Sequence, residues 1–210
     1  MLFRSDTRIV DPLLAVLSTD QDGVARVYAS MAISQWCTYG YLKPAALSER
    51  QQDILVTALS DEHRFVRANI VGSVFASTSS IINDKSVAAL GLLLKDQDDR
   101  VRSNAVSRAV GLGGGPQMMP LIETLMNIVE DTDEVTHIRR DAIWALMHTL
   151  DDRVTPLLQK VLQDEDATLR VRAVEAIGFI CRAGNRGHQP VGDILPLLSR
   201  SEERRVGKEG

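Results

Sequence analysis

Four histidines, two cysteines, three runs of carboxylates and one glycine-rich turn are the residues from which this chain could build a reactive centre. His137 and Asp141 are one helical turn apart, a spacing that can hold a metal ion, and His148 lies further along the same stretch. Two ligands do not close a site, and neither His63, His188 nor a cysteine falls at a spacing that completes it. The histidines are read as solvent-exposed or turn residues. The carboxylates of Asp96-Gln97-Asp98-Asp99, Glu130-Asp131-Thr132-Asp133 and Asp164-Glu165-Asp166 offer pairs for acid–base work. Such pairs need burial or a like-charge neighbour to shift a pKa. Here they stand where helices are predicted to begin, where negative charge favours the helix dipole, so they are read as caps. Gly111-Leu112-Gly113-Gly114-Gly115-Pro116 is rich enough in glycine to suggest a phosphate cradle. No Lys and Ser or Thr follow its last glycine and no strand precedes it, so it is read as a turn after a helix. No Ser-His-Asp or Cys-His arrangement is signalled. No catalytic residue, no metal and no cofactor is expected.

Cys37 and Cys181 are too few for a disulfide framework or a four-thiolate zinc site. Two free thiols are expected, which suits a reducing compartment and a cytoplasmic setting. The 210 residues suffice for one long domain or two short ones. Apolar residues make up 44%, but aromatics only 4%, a balance that suits close helix–helix packing better than a β-sandwich. The formal net charge of −4 is the opposite of what counterion displacement from nucleic acid requires. The apolar runs are too short to span a bilayer, and Met1 to Asp6 lack a signal-peptide core.

The elements that must position these residues emerge when the chain is laid over itself. An Asp, five variable residues, an Arg, two more residues and a small or aliphatic residue recur five times. The copies read Asp20…Arg26…Ala29, Asp61…Arg67…Ile70, Asp96…Arg102…Ala105, Asp133…Arg139…Ala142 and Asp164…Arg170…Ala173. The arginines are 41, 35, 37 and 31 residues apart, and each follows an apolar residue: Ala25, Val66, Val101, Ile138 or Leu169. Each block continues with apolar residues at helical spacing, such as Leu169, Ala173, Ala176, Ile177 and Ile180. A second helix precedes each block. It opens with Pro12-Leu13-Leu14, Pro120-Leu121-Ile122, Pro156-Leu157-Leu158 or Pro196-Leu197-Leu198, with proline predicted at the first helical position and Asp11 and Thr155 as N-caps. The other two copies start with a capping box, Ser48-Glu49-Arg50-Gln51, and with Asp84 as cap. The unit is helix A, a turn, helix B and a loop. The fourth copy has 19 residues from Pro120 to Arg139 where the first and fifth have 14, which predicts a longer acidic connection around Glu130 to Val135 that could meet a basic partner.

Paired helices at this period, with an Asp followed by apolar-Arg at the start of the second, resemble HEAT repeats, most of all the short bacterial type of phycobilisome-lyase proteins. The resemblance covers residues 11–199. It implies an all-α fold, a right-handed α-α superhelix of the HEAT/armadillo kind, with about five helical hairpins and a truncated sixth. It also implies that Asp20, Arg26, Asp61, Arg67, Asp96, Arg102, Asp133, Arg139, Asp164 and Arg170 hydrogen-bond within and between repeats as a structural ladder. Such a solenoid is expected to be a non-catalytic scaffold that binds a protein or peptide in a concave groove lined by B helices. The alternatives are an enzyme-associated protein such as a phycobilin lyase subunit, or a HEAT-like nucleic-acid binder, the latter disfavoured by the acidic balance. The iron-binding HEAT enzyme deoxyhypusine hydroxylase uses His-Glu pairs, and this chain has no His-Glu dipeptide.

Trp36, Tyr39 and Tyr41 cluster at the end of the first B helix, and Trp144 lies on the fourth; these are the candidate partner-binding residues. Residues 1–10 are expected to lie outside the repeats and 200–210 to be a disordered tail. The sixth copy is cut in mid-unit, and both termini resemble translated sequencing-adapter read-through. The chain is therefore expected to be an internal piece of a longer solenoid.

Overall fold

The computed structural model describes residues 7–74 and 81–184. Ten α-helices and two 3-10 turns lie among them, and no strand. Residues 1–6, the sixth copy from Pro190 and the tail from 200 lie outside the described residues, as does His188. The chain divides into two compact units, one up to Thr124 and one from Leu125.

In the first unit, helices A and B alternate: α1 (Thr7–Thr19), α2 (Gly23–Thr38), α3 (Glu49–Ala58), α4 (Arg64–Val74), α5 (Asp84–Leu93) and α6 (Asp99–Val110). Each A helix packs on its own B helix. In addition α1, α3 and α5 line up as one layer and α2, α4 and α6 as a second. The reason is the width of the apolar stripe. Leu14, Ile33, Leu55, Leu59, Ile70, Leu90 and Leu94 are all fully buried, and one hairpin cannot hide them. Burying one such side chain is worth roughly 1.5–3 kcal/mol, so each hairpin is stable only with a neighbour. The second unit contains the end of α7 (Ile122–Glu130), α8 (Thr136–Leu146), α9 (Val154–Val161) and α10 (Ala167–Gly184). There α10 packs on both α8 and α9, over the buried side chains Ile138, Ile143, Leu158 and Ile177.

Helix starts follow the side chains that must be buried, which corrects the expected proline starts and, with them, the expected caps: Asp11 lies inside α1 and Thr155 inside α9, so neither is an N-cap. Pro12 is the sixth residue of α1, because the helix begins early enough to bury Val10 on the same stripe as Leu14 and Leu17. Pro156 is the third residue of α9, which starts at the buried Val154. Proline is tolerated there because first-turn N–H groups have no intrahelical acceptor. Pro120 lies in the 3-10 turn Pro116–Leu121 ahead of α7. Its distance to Arg139 is therefore long for a reason other than the loop. The A-to-B connection of residues 131–135 has the same length as 94–98 and 162–166. Ser48 and Gln51 do form a capping box, but α5 is capped by Asn83, with Ser86 closing the box, rather than by Asp84. A side chain at the first helical position cannot reach the next N–H groups as an N-cap does.

The repeated arginine is the fourth residue of every B helix. Its Nη1 donates back to the carbonyl of the turn aspartate: Arg26 to Asp20 at 2.9 Å, and Arg67 to Asp61, Arg102 to Asp96 and Arg170 to Asp164 at 2.8 Å each. Other guanidinium nitrogens reach forward to the next repeat. Arg26 meets the Asp61 carboxylate at 2.8 and 3.2 Å, Arg67 meets Asp96 at 2.6 and 2.8 Å, and Arg139 meets Asp164 at 2.7 Å. The same carboxylates accept the N–H two residues on, His63 at Asp61, Asp98 at Asp96 and Asp166 at Asp164. In the fourth copy the carboxylate with that turn bond is Asp131, which takes the Asp133 N–H, and Arg139 Nε donates to Val129 instead of Asp133.

Burial by itself would raise the Asp96 carboxyl, but the hydrogen bonds from Arg67 and the Asp98 N–H hold it below the usual carboxylate range. A depressed carboxyl contributes stability above its unfolded value, and loses it as pH falls through the folded one. Arg67→Ala is therefore expected to destabilise the chain by about 2–3 kcal/mol at neutral pH, against near zero for the exposed Arg50→Ala. The gap to wild type should narrow below pH 3.8. Denaturant melts across pH check both points.

Candidate functional site

Because the ladder and the apolar stripe occupy the inner positions of each B helix, side chains on the outer positions are what the protein can offer a partner. Two clusters stand out, one in each unit, and a tyrosine pair accompanies the first.

At the end of α2, the Tyr41 and Leu42 N–H groups both donate to the Trp36 carbonyl, at 2.8 and 3.1 Å, and Gly40 turns the chain with a φ of +72°. Leu42, Pro44 and Leu47 are the buried anchors of this loop. Tyr39 and Tyr41 are not beneath it. They are 71% and 55% exposed, with ring centroids 6.1 Å apart, while Trp36 is half-buried.

Phe65, at the start of α4, is a site residue that the repeat search did not single out. The Arg64 and Arg100 guanidinium groups lie 4.8 and 5.8 Å from its ring centroid, and the His63 ring lies 5.6 Å away. Arg64 is also paired with Asp98 at 3.0 Å. The open groove beside Phe65 has a volume of about 500 Å³. The signal was present as a column: Val24, Phe65 and Arg100 each stand two residues before a ladder arginine.

In the second unit, Trp144 on α8 is partly exposed and is capped by Arg172 of α10, whose guanidinium lies 4.7 Å from the ring. His148 meets Trp144 edge-on at 5.7 Å and Phe179 at 4.8 Å, so the ring is fixed on two sides. Arg172 is tethered to Glu175 at 2.8 Å, and its Nε is buried without a hydrogen-bond partner. Arg140 is tied to Asp141 at 2.8 Å, so Asp141 faces a guanidinium and not His137. Val171 lies exposed beside Arg172 in a shallow groove of about 310 Å³.

The remaining candidates have structural neighbours. Asp22 and Asp98 cap α2 and α6, and Asp166 accepts from Thr168 at the start of α10. Among the described residues no group of three or more His, Cys, Asp or Glu side chains is placed to hold a metal ion. Gly111 to Gly114 form the turn after α6. Both cysteines are free, and burial pushes the Cys37 thiol up to about 11 despite a hydrogen bond with Ser73. No helix among the described residues is long and apolar enough to cross a membrane.

With this architecture in view, residues 87–178 match the family model of HEAT repeats. No curated protein sequence matches the chain. Among solved structures, the chain is similar to an engineered protein at 18% identity and a TM-score of 0.64, over 82% of this chain and 79% of that one. A designed armadillo repeat protein in complex with the peptide (KR)4 gives 18% identity and 0.61, over 83% of each chain. The complex of CpcE and CpcF of phycocyanin lyase from Nostoc sp. PCC7120 gives 21% and 0.60, over 82% of this chain and 65% of that one. These likenesses show the fold: an all-α HEAT/armadillo-like repeat architecture.

Trp144 sits on the surface and Ile143 beside it is fully buried. Trp144→Ala is expected to lower stability by only about 1 kcal/mol, because the ring is held by contacts at the surface. Ile143→Ala opens a cavity, at roughly 2–5 kcal/mol. Equilibrium unfolding of the two variants checks the order, and the reverse order would move Trp144 into the core.

Proposed function

We propose that this chain is a non-catalytic scaffold that binds a protein or peptide on the outer face of its B helices, with Trp144 as the main anchor. The observation that carries this reading is the Trp144–Arg172–His148–Phe179 cluster. A tryptophan left at the surface yet held by Arg172 and by His148, itself backed by Phe179, loses little freedom when a partner covers it. Trp and Arg are the side chains most enriched at interface hot spots. Arg172 and Arg140 are pinned by Glu175 and Asp141, and still present guanidinium N–H donors beside an apolar groove.

A protein or peptide fits this surface better than nucleic acid. Arg140 and Arg172 are each balanced by a carboxylate, and the chain as a whole is acidic. The two free thiols support a reducing, cytoplasmic setting. Similarity to the phycocyanin lyase complex at 21% identity speaks for the fold alone, and lyase chemistry is not carried over.

The test is selection of displayed random peptides on the immobilised chain, followed by titration of the enriched sequences. Trp144→Ala is expected to weaken them on the order of thirtyfold, the equivalent of about 2 kcal/mol. Arg50→Ala should leave them unchanged. Peptides that bind the Trp144 variant as well as wild type would remove this face as the binding surface.

A further inference from the structure

The B helix of the second copy starts differently from three of the others. Asp22, Asp98 and Asp166 stand ahead of α2, α6 and α10, and each carboxylate accepts the N–H two residues on. Ahead of α4 the same place holds His63, whose Nδ1 accepts the Phe65 N–H at 3.3 Å. The imidazole proton is therefore on Nε2, which has no hydrogen-bond partner among the described residues. Where those three copies carry a negative charge, this one carries a donor.

Phe65 stays exposed although both flanking B helices, α2 and α6, pack against α4 within the same unit. Its ring is open because of its place on the helix, and not for want of a neighbouring repeat. The guanidinium groups of Arg64 and Arg100 lie 4.8 and 5.8 Å from the ring centroid. Contact with a ring face engages the charge of a guanidinium and leaves its N–H groups for other acceptors. Arg64 gives Nη1 to Asp98 at 3.0 Å, and Arg100 meets no carboxylate among the described residues. The carboxylates of the groove are already engaged. Asp98 caps α6 through Oδ1 and holds Arg64 through Oδ2, and Glu62 is bound to Arg26 at 2.8 Å. The open groove of about 500 Å³ is thus an apolar ring set among unused donors.

We infer that this groove of the first unit is a docking site for an acidic peptide, one in which a carboxylate side chain neighbours an aliphatic one. The aliphatic side chain lies on the Phe65 ring. The carboxylate is held by Arg100, with Arg64 and His63 Nε2 beside it. Charge complementarity selects this occupant. A carboxylate accepts two parallel hydrogen bonds from a guanidinium fork, whereas a basic peptide would set its own cations against Arg64 and Arg100. The site shares no residue with the Trp144 face and does not depend on it.

Fluorescence anisotropy with the full chain tests the inference, using a labelled peptide that repeats the pair Asp-Leu and its Asn-Leu and Lys-Leu counterparts. The Asp-Leu peptide should bind with saturation below about 1 mM, and the other two should be weaker by on the order of tenfold. Arg100→Glu and Phe65→Ala replace exposed side chains, so circular dichroism should show both folded. Each should weaken the Asp-Leu peptide by on the order of tenfold. Arg50→Glu changes the net charge as much as Arg100→Glu does, and it should leave the affinity unchanged, as should Trp144→Ala. No saturation, equal binding of the three peptides, or equal binding to wild type and the Arg100 variant overturns the inference. Equal losses from Arg50→Glu and Arg100→Glu overturn it as well, because bulk charge alone would then account for the binding. Loss on Trp144→Ala in place of Arg100→Glu would assign the acidic peptide to the Trp144 face, which removes this site and leaves the proposed function standing.

Discussion

Four of the five B helices begin with a turn whose carbonyls would point into a partly buried seam, and the arginine at the fourth position of the helix is what satisfies them. Its planar fork has enough donors to bind its own turn and, at the same time, the carboxylate of the next repeat. That carboxylate in turn holds the N–H groups of its own turn, as Asp61 does for His63 and Asp96 for Asp98. Turn conformation, helix start and repeat stacking are thus one network. Lysine could not substitute, because a single ammonium cannot span the Asp61 carbonyl and the Asp96 carboxylate that Arg67 joins.

This constraint frees other positions. The small or aliphatic residue three places after the arginine is buried in all five copies: Ala29, Ile70, Ala105, Ala142 and Ala173. The outer positions differ from copy to copy, with Tyr28, Asn69, Asn104, Asp141 and Arg172 in one column. The two aromatic–arginine clusters arise in columns that packing does not dictate, around Phe65 in one unit and Trp144 in the other. Arginine over an exposed ring holds the ring at the surface without burying it.

The repeat, the helical class and the buried face of each B helix were legible in the chain by itself, because they rest on short-range facts. A 3.6-residue period places Leu169, Ala173, Ala176 and Ile177 on one stripe whatever surrounds them, and the Asp-to-Arg spacing brings a turn carbonyl within reach of its own arginine. Elements whose position depends on a neighbour were not legible. Local sequence favours Pro12 and Pro156 as helix starts, yet the helices begin earlier because Val10 and Val154 find cover in the packed layers. Asn83, not Asp84, caps α5, a choice of one residue that local composition does not decide. Which carboxylate an arginine takes, Asp61 and not Asp20 for Arg26, and which ring an arginine covers are long-range facts. A guanidinium group reaches only a few ångströms, so only the stacked repeats decide which aspartate and which ring fall within that distance.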